Sequence, residues 1–378
     1  MAGSVLIIGG GAIGSAVAAW LSAEPAWQVE VLERDPSYAR ASSALSAASI
    51  RQQFSTPLNI ALSQFGLHYL RALPEAGLQE QGYLYLATEK GAADLRQLQA
   101  LQTAQGAEIE LMTPTELRHR WPWLATQDLA LGSWGRRGEG WFDGWGLLQA
   151  LRRRALRQGS VYRRAEALEL RRDASGALDG VLTAEGLMQA DLYVLACGAW
   201  SGALAATAGL EVPVSARRRS VYVFRSPETA SGCPLLIDPS GLWLRPEGEA
   251  GQFLCGGPPL DDAPDLPLEP EADLFEERLW PALAARVPGF ETLRCERAWA
   301  GYYEMCDFDH NGLVGPLAEC PNLLLACGFS GHGLQHAPGI GRGLAELIAF
   351  GAYRSLDLGP LSPTRIAAGR PYRELNVI

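Results

Sequence analysis

The feature that most constrains the fold is a glycine-rich turn directly after a short apolar segment near the start of the chain. Residues 4–8 read SVLII, and the following GGGAIG places Gly9, Gly11 and Gly14 in the GxGxxG spacing. A helix-like stretch, SAVAAWLSAE, comes next, and a second predicted strand, WQVEVLE, ends at Glu33. This order of strand, glycine turn, helix, strand and acidic residue predicts a dinucleotide-binding unit in an α/β fold.

Each part of this pattern has a physical role in binding a dinucleotide. The first two glycines permit a tight turn and a close approach of the backbone to a pyrophosphate, and the third lets the helix pack on the strand. The N-terminus of the predicted helix presents N–H groups and the positive end of the helix dipole to the phosphates. Ala12 and Ile13, in the turn before it, are also predicted to contact the cofactor. Glu33 would accept hydrogen bonds from the adenosine ribose, with Arg34 beside it. A glycine-rich turn without a ligand would not require an acidic residue at this position.

The segment after Glu33 favours FAD over NAD. Residues 39–57, ARASSALSAASIRQQFSTP, are rich in serine and alanine and lack the strand with which an NAD-binding domain would continue. Small residues would let the backbone pass close to the pyrophosphate and the isoalloxazine ring. A hydroxyl residue before Pro57 predicts a capped helix that begins there.

Composition narrows the class of protein further. The net charge of −10 disfavours nucleic acid or an anionic membrane as the main partner. Seven cysteines without a CxxC pair predict reduced thiols and no metal site. No apolar run reaches about 18 residues, and the first residues lack the charged segment of a signal peptide. We therefore expect a cytoplasmic protein without a transmembrane segment.

The order of predicted elements indicates two domains, both assembled from separate pieces of the chain. We predict a Rossmann-like FAD-binding domain from residues 1–85, 145–215 and 305–378. Alternating strands in residues 86–144 and 216–304 predict an inserted antiparallel sheet that forms the substrate domain. The fold class is therefore α/β, with an α+β substrate domain.

Two later segments, LACGAWSG (195–202) and LACGFSGHG (325–333), each join an apolar strand to a glycine loop. We interpret them as two strand ends that reach the same cofactor. A helix predicted after the second loop would place a positive dipole end beside the reduced flavin. Ser330 and His332 also raise the alternatives of a serine hydrolase or a metal site. Neither is favoured, because no GxSxG elbow is present and no acidic residue is placed to orient His332.

Taken together, these motifs resemble the D-amino-acid oxidase family of FAD enzymes, which includes sarcosine, dimethylglycine and glycine oxidases or dehydrogenases. Longer stretches, such as SIRQQFSTPLNIALSQF and AWAGYYEMCDFDHNGLVGP, resemble one subgroup. That subgroup contains a mitochondrial FAD-dependent oxidoreductase-domain protein implicated in complex I assembly, together with bacterial relatives. The resemblance covers nearly the whole chain.

The resemblance implies positions for the cofactor and the substrate. The cofactor-binding residues that it implies, together with those of the glycine turn, are Gly9, Gly11, Ala12, Ile13, Gly14, Glu33, Arg34, Ser42, Ser43, Ala47, Ala48, Ala167, Gly198, Trp200, Gly331, His332, Gly333 and Leu334. Arg51 is our first candidate for binding a substrate carboxylate and Arg245 our second. The remaining substrate-binding candidates are Tyr222, Tyr302, Tyr303 and Gln335. Arg51, Tyr303 and His332 are the predicted catalytic residues.

Departures from the family pattern lead to further expectations. Sarcosine oxidases attach FAD through a cysteine where this chain has Gly301 and Tyr302, so we expect non-covalent FAD. Lysines that some of these oxidases place near the flavin or the substrate are missing here, since Lys90 is the only lysine and position 335 is glutamine. This predicts a dehydrogenase or a slow oxidase, unless a protonated His332 replaces the missing cation.

The predicted reaction is oxidation of the C–N bond of an amino acid, a secondary or N-substituted amine, by hydride transfer to flavin N5. The electron acceptor would be O2, a quinone or an electron-transfer protein. Two alternatives stay open at this stage. One is a flavin-dependent 2-hydroxy-acid dehydrogenase, because a fold does not fix a substrate. The other is an FAD-binding assembly or interaction protein without turnover.

Overall fold

Nineteen β-strands and ten α-helices form within residues 3–375, which the computed structural model describes. The strands are β1 (Gly3–Ile8), β2 (Trp27–Glu33), β3 (Ser49–Ile50), β4 (Tyr83–Ala87), β5 (Ile109–Met112), β6 (Leu131–Gly135), β7 (Gly140–Trp141), β8 (Val161–Arg164), β9 (Glu169–Arg172), β10 (Leu178–Thr183), β11 (Gly186–Met188), β12 (Leu192–Leu195), β13 (Val214–Arg225), β14 (Leu235–Ile237), β15 (Trp243–Pro246), β16 (Gln252–Gly256), β17 (Arg294–Cys306), β18 (Leu313–Leu317) and β19 (Cys320–Cys327). The helices are α1 (Ala12–Leu21), α2 (Ser42–Leu45), α3 (Pro57–Arg71), α4 (Glu89–Ala104), α5 (Pro114–Arg120), α6 (Gly144–Arg157), α7 (Ser201–Ala206), α8 (Trp280–Arg286), α9 (Gly333–Phe350) and α10 (Thr364–Ala367).

The first large sheet has six strands in the order β18-β19-β12-β1-β2-β8. All neighbours are parallel except β18 and β19. In β1, Val5 and Ile7 pack with residues of α1, α6 and α9, whereas Leu6 and Ile8 pack with residues of the small sheet β9–β11. Since both faces are covered, this strand is a continuous apolar run, as expected for a buried parallel sheet.

Helices α1 and α9 cross at close range above this sheet. A Cβ on Gly341 would lie only 2.5 Å from Ala16, so the crossing requires glycine there. Pro338 interrupts the hydrogen bonding of α9, and the indole N–H of Trp20 donates to the Pro338 carbonyl over 3.1 Å. This packing fixes the two helices against each other.

The second large sheet has eight strands in the order β17-β13-β16-β15-β14-β4-β6-β5. Its neighbours are antiparallel except β4 and β14. A doubly wound sheet together with a mostly antiparallel one confirms the predicted α/β fold class. The domain boundaries stay a prediction, and we note that β4 spans the boundary that we place after residue 85.

Helix α3 begins at Pro57 as predicted, but its start is not capped by a hydroxyl. The Thr56 hydroxyl instead donates to the Glu374 carboxylate over 3.4 Å, which ties the C-terminal segment to this helix. None of the helices within residues 3–375 is both long enough and apolar enough to span a bilayer.

Candidate cofactor and substrate site

An elongated cavity lies between the carboxyl ends of strands in the first sheet and the paired strands β13 and β17 of the second sheet. Carboxyl ends of parallel strands are where ligands bind in folds of this type. Sixteen of the predicted cofactor-binding residues line the cavity: Gly9, Gly11, Ala12, Ile13, Glu33, Arg34, Ser42, Ser43, Ala47, Ala48, Ala167, Gly198, Trp200, Gly331, Gly333 and Leu334.

The three glycines of the GxGxxG turn are needed for different structural reasons. Gly9 has a φ of +102°, and a Cβ there would lie 2.3 Å from the Ala196 carbonyl oxygen. A Cβ on Gly14 would lie 1.9 Å from the Gly9 oxygen, so Gly14 is needed for packing and does not line the cavity. A Cβ on Gly11 would meet nothing nearer than the Ser43 hydroxyl at 3.7 Å. The open space beside Gly11 therefore faces the cavity, where the pyrophosphate of FAD would pass.

Glu33 is held so that its carboxylate faces the same cavity. One oxygen accepts from the Gly10 N–H over 2.9 Å, and the other accepts from the Asp35 N–H over 2.8 Å. Burial raises the pKa of Glu33, and these two N–H groups oppose that shift. Since each carboxylate oxygen has two lone pairs, both oxygens can still accept from ribose hydroxyls.

Arg34 and Trp200 form the neighbouring part of the wall. The guanidinium carbon of Arg34 lies 3.9 Å from the centre of the Trp200 ring, and Arg34 also pairs with Glu166 at 3.5 Å. The small residues on the other side of the cavity are tied to the second sheet. The Ser42 hydroxyl donates to the Tyr302 carbonyl over 2.6 Å, and the Arg245 guanidinium donates to the Ala47 carbonyl over 3.1 Å.

Two helix N-termini meet the cavity. Neither α1 nor α9 is capped by a side chain, so their first N–H groups are available to an anionic ligand. The loop before α9 contains Gly331, which has a φ of +93°. A Cβ on Gly331 would lie 2.3 Å from the Tyr303 ring. A glycine at this position therefore lets Tyr303 lie directly against the loop. Together, the glycine turn, Glu33 and these helix ends fit FAD.

At the other end of the cavity, Arg51 is almost fully buried. Its guanidinium donates to the Gln53 carbonyl over 2.8 Å and to the Tyr85 hydroxyl over 2.7 Å, and it lies over the Phe54 ring. The backbone N–H of Arg51 donates to the Gln335 side-chain oxygen over 3.0 Å. Gln335 therefore lines the cavity and at the same time positions Arg51.

Tyr303 lies near two positive charges. Burial raises the pKa of Tyr303, and the charges of Arg219 and Arg51 oppose this rise. The guanidinium carbon of Arg219 is 5.2 Å from the Tyr303 ring centre. Tyr302, the next residue on β17, projects to the opposite face. Its ring packs edge-on against Trp200, and its hydroxyl donates to the Leu266 carbonyl.

Three predicted functional side chains are not brought to the cavity wall. Tyr222 lies in the core of the second sheet, where its hydroxyl donates to the Glu271 carbonyl. Arg245 donates to Glu247 and to backbone carbonyls. His332 is buried against Phe54, with a nitrogen 3.3 Å from the Asn311 side-chain oxygen. Burial, together with the charge of Arg51, lowers the pKa of His332 to about 3, so the side chain is neutral at physiological pH.

The serine of GFSGHG has a structural partner. The Ser330 hydroxyl accepts from the Cys306 N–H over 3.0 Å and donates to the Gly328 carbonyl. Of the seven cysteines, all within the described residues, Cys197 is the one in the cavity wall. Burial raises the pKa of Cys197 to about 12, and its thiol lies 3.2 Å from the Ile8 carbonyl at the end of β1. Cys306 is buried outside the wall.

Several lining residues were missed by the sequence analysis, chiefly Tyr83, Arg219 and Glu304. Arg219 belongs to a run of three arginines, residues 217–219, and the run alone does not show which one faces a ligand. Glu304 accepts from the Gly328 N–H over 2.9 Å, and burial raises its pKa to about 8. Its position after two tyrosines gave no signal of this environment.

Solved structures of two amino-acid-oxidising enzymes are similar to this fold. L-Proline dehydrogenase of P. horikoshii has a TM-score of 0.88 and 24% identity, with 98% of this chain and 99% of that chain covered. Glycine oxidase of Geobacillus kaustophilus has a TM-score of 0.82 and 26% identity, with 96% and 99% covered.

Sequence comparisons agree with the resemblance described above. The chain is 38% identical over 425 aligned residues to FAD-dependent oxidoreductase domain-containing protein 1 of Xenopus laevis, with 99% of this chain and 84% of that protein covered. A family model described as FAD dependent oxidoreductase matches residues 4–347. The chain therefore belongs to the DAO family of FAD-dependent oxidoreductases, and its cofactor is FAD.

Proposed function

We propose that this protein oxidises the C–N bond of a secondary or N-substituted amino acid. The observation that carries the proposal is the buried Arg51, which lies with Tyr303 at the end of the cavity next to Gly331 and Leu334. Arginine suits a carboxylate because its planar fork donates two parallel hydrogen bonds. The similarity to a glycine oxidase supports the same substrate class.

FAD, held by the glycine turn, Glu33 and the two helix N-termini, would supply the redox chemistry by accepting a hydride from the carbon beside the substrate nitrogen. Water would then hydrolyse the resulting imine. The protein would bind, orient and desolvate the substrate. Arg51 would hold the carboxylate, and the neutral Tyr303 hydroxyl would contact the substrate from the β17 side. The N-terminus of α9 would stabilise negative charge that develops on the cofactor edge beside it.

Proton chemistry favours an amine over a 2-hydroxy acid. An amine that arrives unprotonated can lose a hydride without a protein base, whereas a hydroxy acid must also lose its hydroxyl proton. The cavity wall contains no histidine among the described residues, and the Tyr303 hydroxyl keeps its proton at neutral pH because its pKa is raised. The carboxylate of Glu304, also in the wall, accepts from the Gly328 N–H. Activity should therefore rise with pH as the free amine becomes available.

Two further properties stay predictions. Non-covalent attachment of FAD is supported by the cysteines, since the one in the wall lies at the end of β1, beside the glycine turn. Slow reaction of the reduced flavin with O2 is supported by the neutral His332 and by Lys90, which lies on α4 outside the cavity wall. Re-oxidation by air in a stopped-flow instrument tests the second property, and a fast rate would contradict it.

The proposed function is tested by anaerobic bleaching of the flavin absorbance. The purified protein is mixed with matched sets of amino acids, N-methyl amino acids and 2-hydroxy acids. We expect bleaching by amines, most rapidly by N-substituted ones, and a rate that increases with pH. Bleaching by hydroxy acids alone would replace the proposal with hydroxy-acid oxidation. A flavin that no member of the panel reduces would favour a role in assembly without turnover.

A further inference from the structure

The end of the cavity that contains Tyr303 has two arginines in its wall. Arg51 precedes α3, and Arg219 comes from β13 in the second sheet. The guanidinium of Arg219 lies 5.2 Å from the centre of the Tyr303 ring, and the charges of both arginines act on the Tyr303 hydroxyl. A substrate with a single carboxylate could bind only one of these two guanidinium groups.

Part of the Arg219 guanidinium is fixed by the protein. Its Nη1 donates to the Asp262 carboxylate over 2.6 Å and to the Arg218 carbonyl over 2.8 Å. Nε and Nη2 make no hydrogen bond to the residues that the structure describes. These two atoms form one edge of the guanidinium fork, and such an edge binds a carboxylate through two parallel hydrogen bonds.

The partner that fixes Arg219 is a weak counter-charge. The Asp262 side chain is 52% exposed, whereas that of Arg219 is only 19% exposed. Solvent screens an ion pair of this kind, so the Arg219 charge facing the cavity is not fully balanced. Of the acidic residues in the same cavity wall, Glu33, Asp35 and Glu166 lie beside Arg34 instead. The fourth, Glu304, accepts from the Gly328 N–H, and burial raises its pKa to about 8.

We propose that Arg219 binds a second acidic group of the substrate, and that the preferred substrates are secondary amines carrying two carboxylates. This inference rests on the proposed function, because it places the first carboxylate on Arg51 and the amine between the two arginines. It assigns to Arg219 the selection between substrates with one and two acidic groups. Tyr303, Tyr83 and Trp243 provide the uncharged part of the wall.

The neighbouring Arg217 provides a matched control on the same strand. Its guanidinium donates to the backbone carbonyl of Asp262 and to the Asp307 carboxylate, and it does not line the cavity. Arg217→Gln therefore removes one positive charge and one tie to the Asp262 loop, as Arg219→Gln does. Only Arg219→Gln removes a guanidinium from the cavity.

The inference is tested by binding of unreactive acids to the FAD-loaded protein. Thiodiacetate carries two carboxylates and (methylthio)acetate carries one, and each has sulfur in place of the amine nitrogen. Binding is followed by the change in flavin absorbance and by calorimetry. We expect thiodiacetate to bind wild type at least about tenfold more tightly, and Arg219→Gln to weaken it by roughly 10- to 100-fold. Arg219→Gln should change (methylthio)acetate binding by less than about threefold, and Arg217→Gln should leave the preference intact.

Arg219→Lys protects the test against a variant that fails to fold. It keeps the charge but loses the fork, so the preference for thiodiacetate should shrink without vanishing. Equal binding of the two acids by wild type would overturn the inference. The inference would also be overturned if Arg219→Gln weakened the binding of both acids equally. The same holds if Arg219→Gln shifted the flavin absorbance but left the preference for thiodiacetate unchanged.

A parallel reduction experiment separates this inference from the proposed function. The flavin is mixed anaerobically with iminodiacetate, which has two carboxylates, or with N-methylglycine, which has one. Equal reduction by both amines would confirm amine oxidation and overturn the role of Arg219. If the two acids bind with the expected preference but no amine reduces the flavin, recognition by Arg219 is supported and the proposed oxidation fails.

Discussion

The two ends of the cavity are built in different ways. At the glycine-turn end, the features that fit FAD are mainly backbone features: the space beside Gly11, uncapped helix N-termini and a carboxylate held by two N–H groups. At the Tyr303 end, side chains converge from separate parts of the chain. Four strands and one loop contribute these side chains, which are Arg51, Tyr83, Arg219, Trp243 and Tyr303. The features that fit the cofactor common to the family thus come mainly from a local motif. The positions of the residues proposed for substrate binding depend instead on tertiary packing.

The largest expected effect is at the Tyr303 end, from loss of Arg51. Arg51→Gln leaves a substrate carboxylate without its buried partner, which should cost about 2–5 kcal/mol, or roughly 30- to several-thousand-fold in substrate Kd. FAD content should not change, because the features that fit the adenosine and pyrophosphate lie at the other end. Substrate Kd and the flavin reduction rate are measured by anaerobic stopped flow.

Tyr85→Phe is the control for this experiment. It removes a hydrogen-bond partner of Arg51, and Tyr85 itself does not line the cavity. We expect a change in substrate Kd below about tenfold, because Tyr85 contacts Arg51 and not the cavity, and Arg51 keeps its hydrogen bond to the Gln53 carbonyl. If Arg51→Gln binds substrate as tightly as Tyr85→Phe does, Arg51 is not the carboxylate anchor.

The two ends also differ in how far the sequence predicted them. Gly9, Gly11 and Glu33 line one cavity, and their spacing along the chain sets their positions in a strand–turn–helix–strand unit. Arg245 and Arg219 are both arginines on strands of the second sheet, yet only Arg219 reaches the cavity. Which of the two arginines reaches the cavity depends on strand pairing and on which face of the sheet meets the cofactor. Neither property can be read from the residues next to each arginine in the sequence.

His332 shows the same limit inside a motif that was recognised. Its backbone lies between lining residues Gly331 and Gly333, but its ring turns towards Phe54 and Asn311. Those two partners are distant in sequence. The burial that lowers the pKa of His332 therefore could not be inferred from the spacing of GFSGHG.

A second prediction distinguishes a glycine that is needed for packing, Gly14, from one that we place beside the ligand, Gly11. Gly14→Ala forces a Cβ to within 1.9 Å of the Gly9 oxygen, so the backbone must move, at a cost of about 1–3 kcal/mol of stability. Gly11→Ala meets no protein atom nearer than 3.7 Å, so the apoprotein should keep its stability. The same methyl group occupies space beside the expected pyrophosphate, and FAD affinity should fall at least about tenfold, equal to about 1.4 kcal/mol.

Chemical unfolding of the apoprotein and titration with FAD distinguish these two substitutions. Gly159→Ala is a useful reference, since a Cβ there meets nothing within 4 Å but its φ is +97°. It should lower stability through backbone strain alone and leave FAD affinity unchanged. Gly11→Ala with normal FAD affinity would contradict the position that we assign to the pyrophosphate.

The last prediction is a pH dependence of stability that arises at the Tyr303 end. Glu139 is fully buried and accepts from the backbone N–H groups of Gln52 and Gln53, next to Arg51. Burial raises its pKa to about 7, above the ordinary value of 4.5. Between these values the folded state keeps a proton that the unfolded state has lost. Stability therefore decreases as pH rises through this range, by at most about 1.4 kcal/mol per pH unit.

Unfolding of the apoprotein by urea at pH 5 to 8 measures this slope. Glu139→Gln places a neutral amide at the same position and should lower the slope below pH 7, whereas the exposed Glu110→Gln should not change it. Glu304, whose pKa burial raises to about 8, contributes to the decrease up to about pH 8. Glu304→Gln should therefore also lower the slope below pH 7 and should remove the decrease above it. A slope unchanged in Glu139→Gln would mean that Glu139 is already ionised at pH 5. Its negative charge would then stand permanently behind Arg51, and the attraction of Arg51 for a substrate carboxylate would be correspondingly weaker.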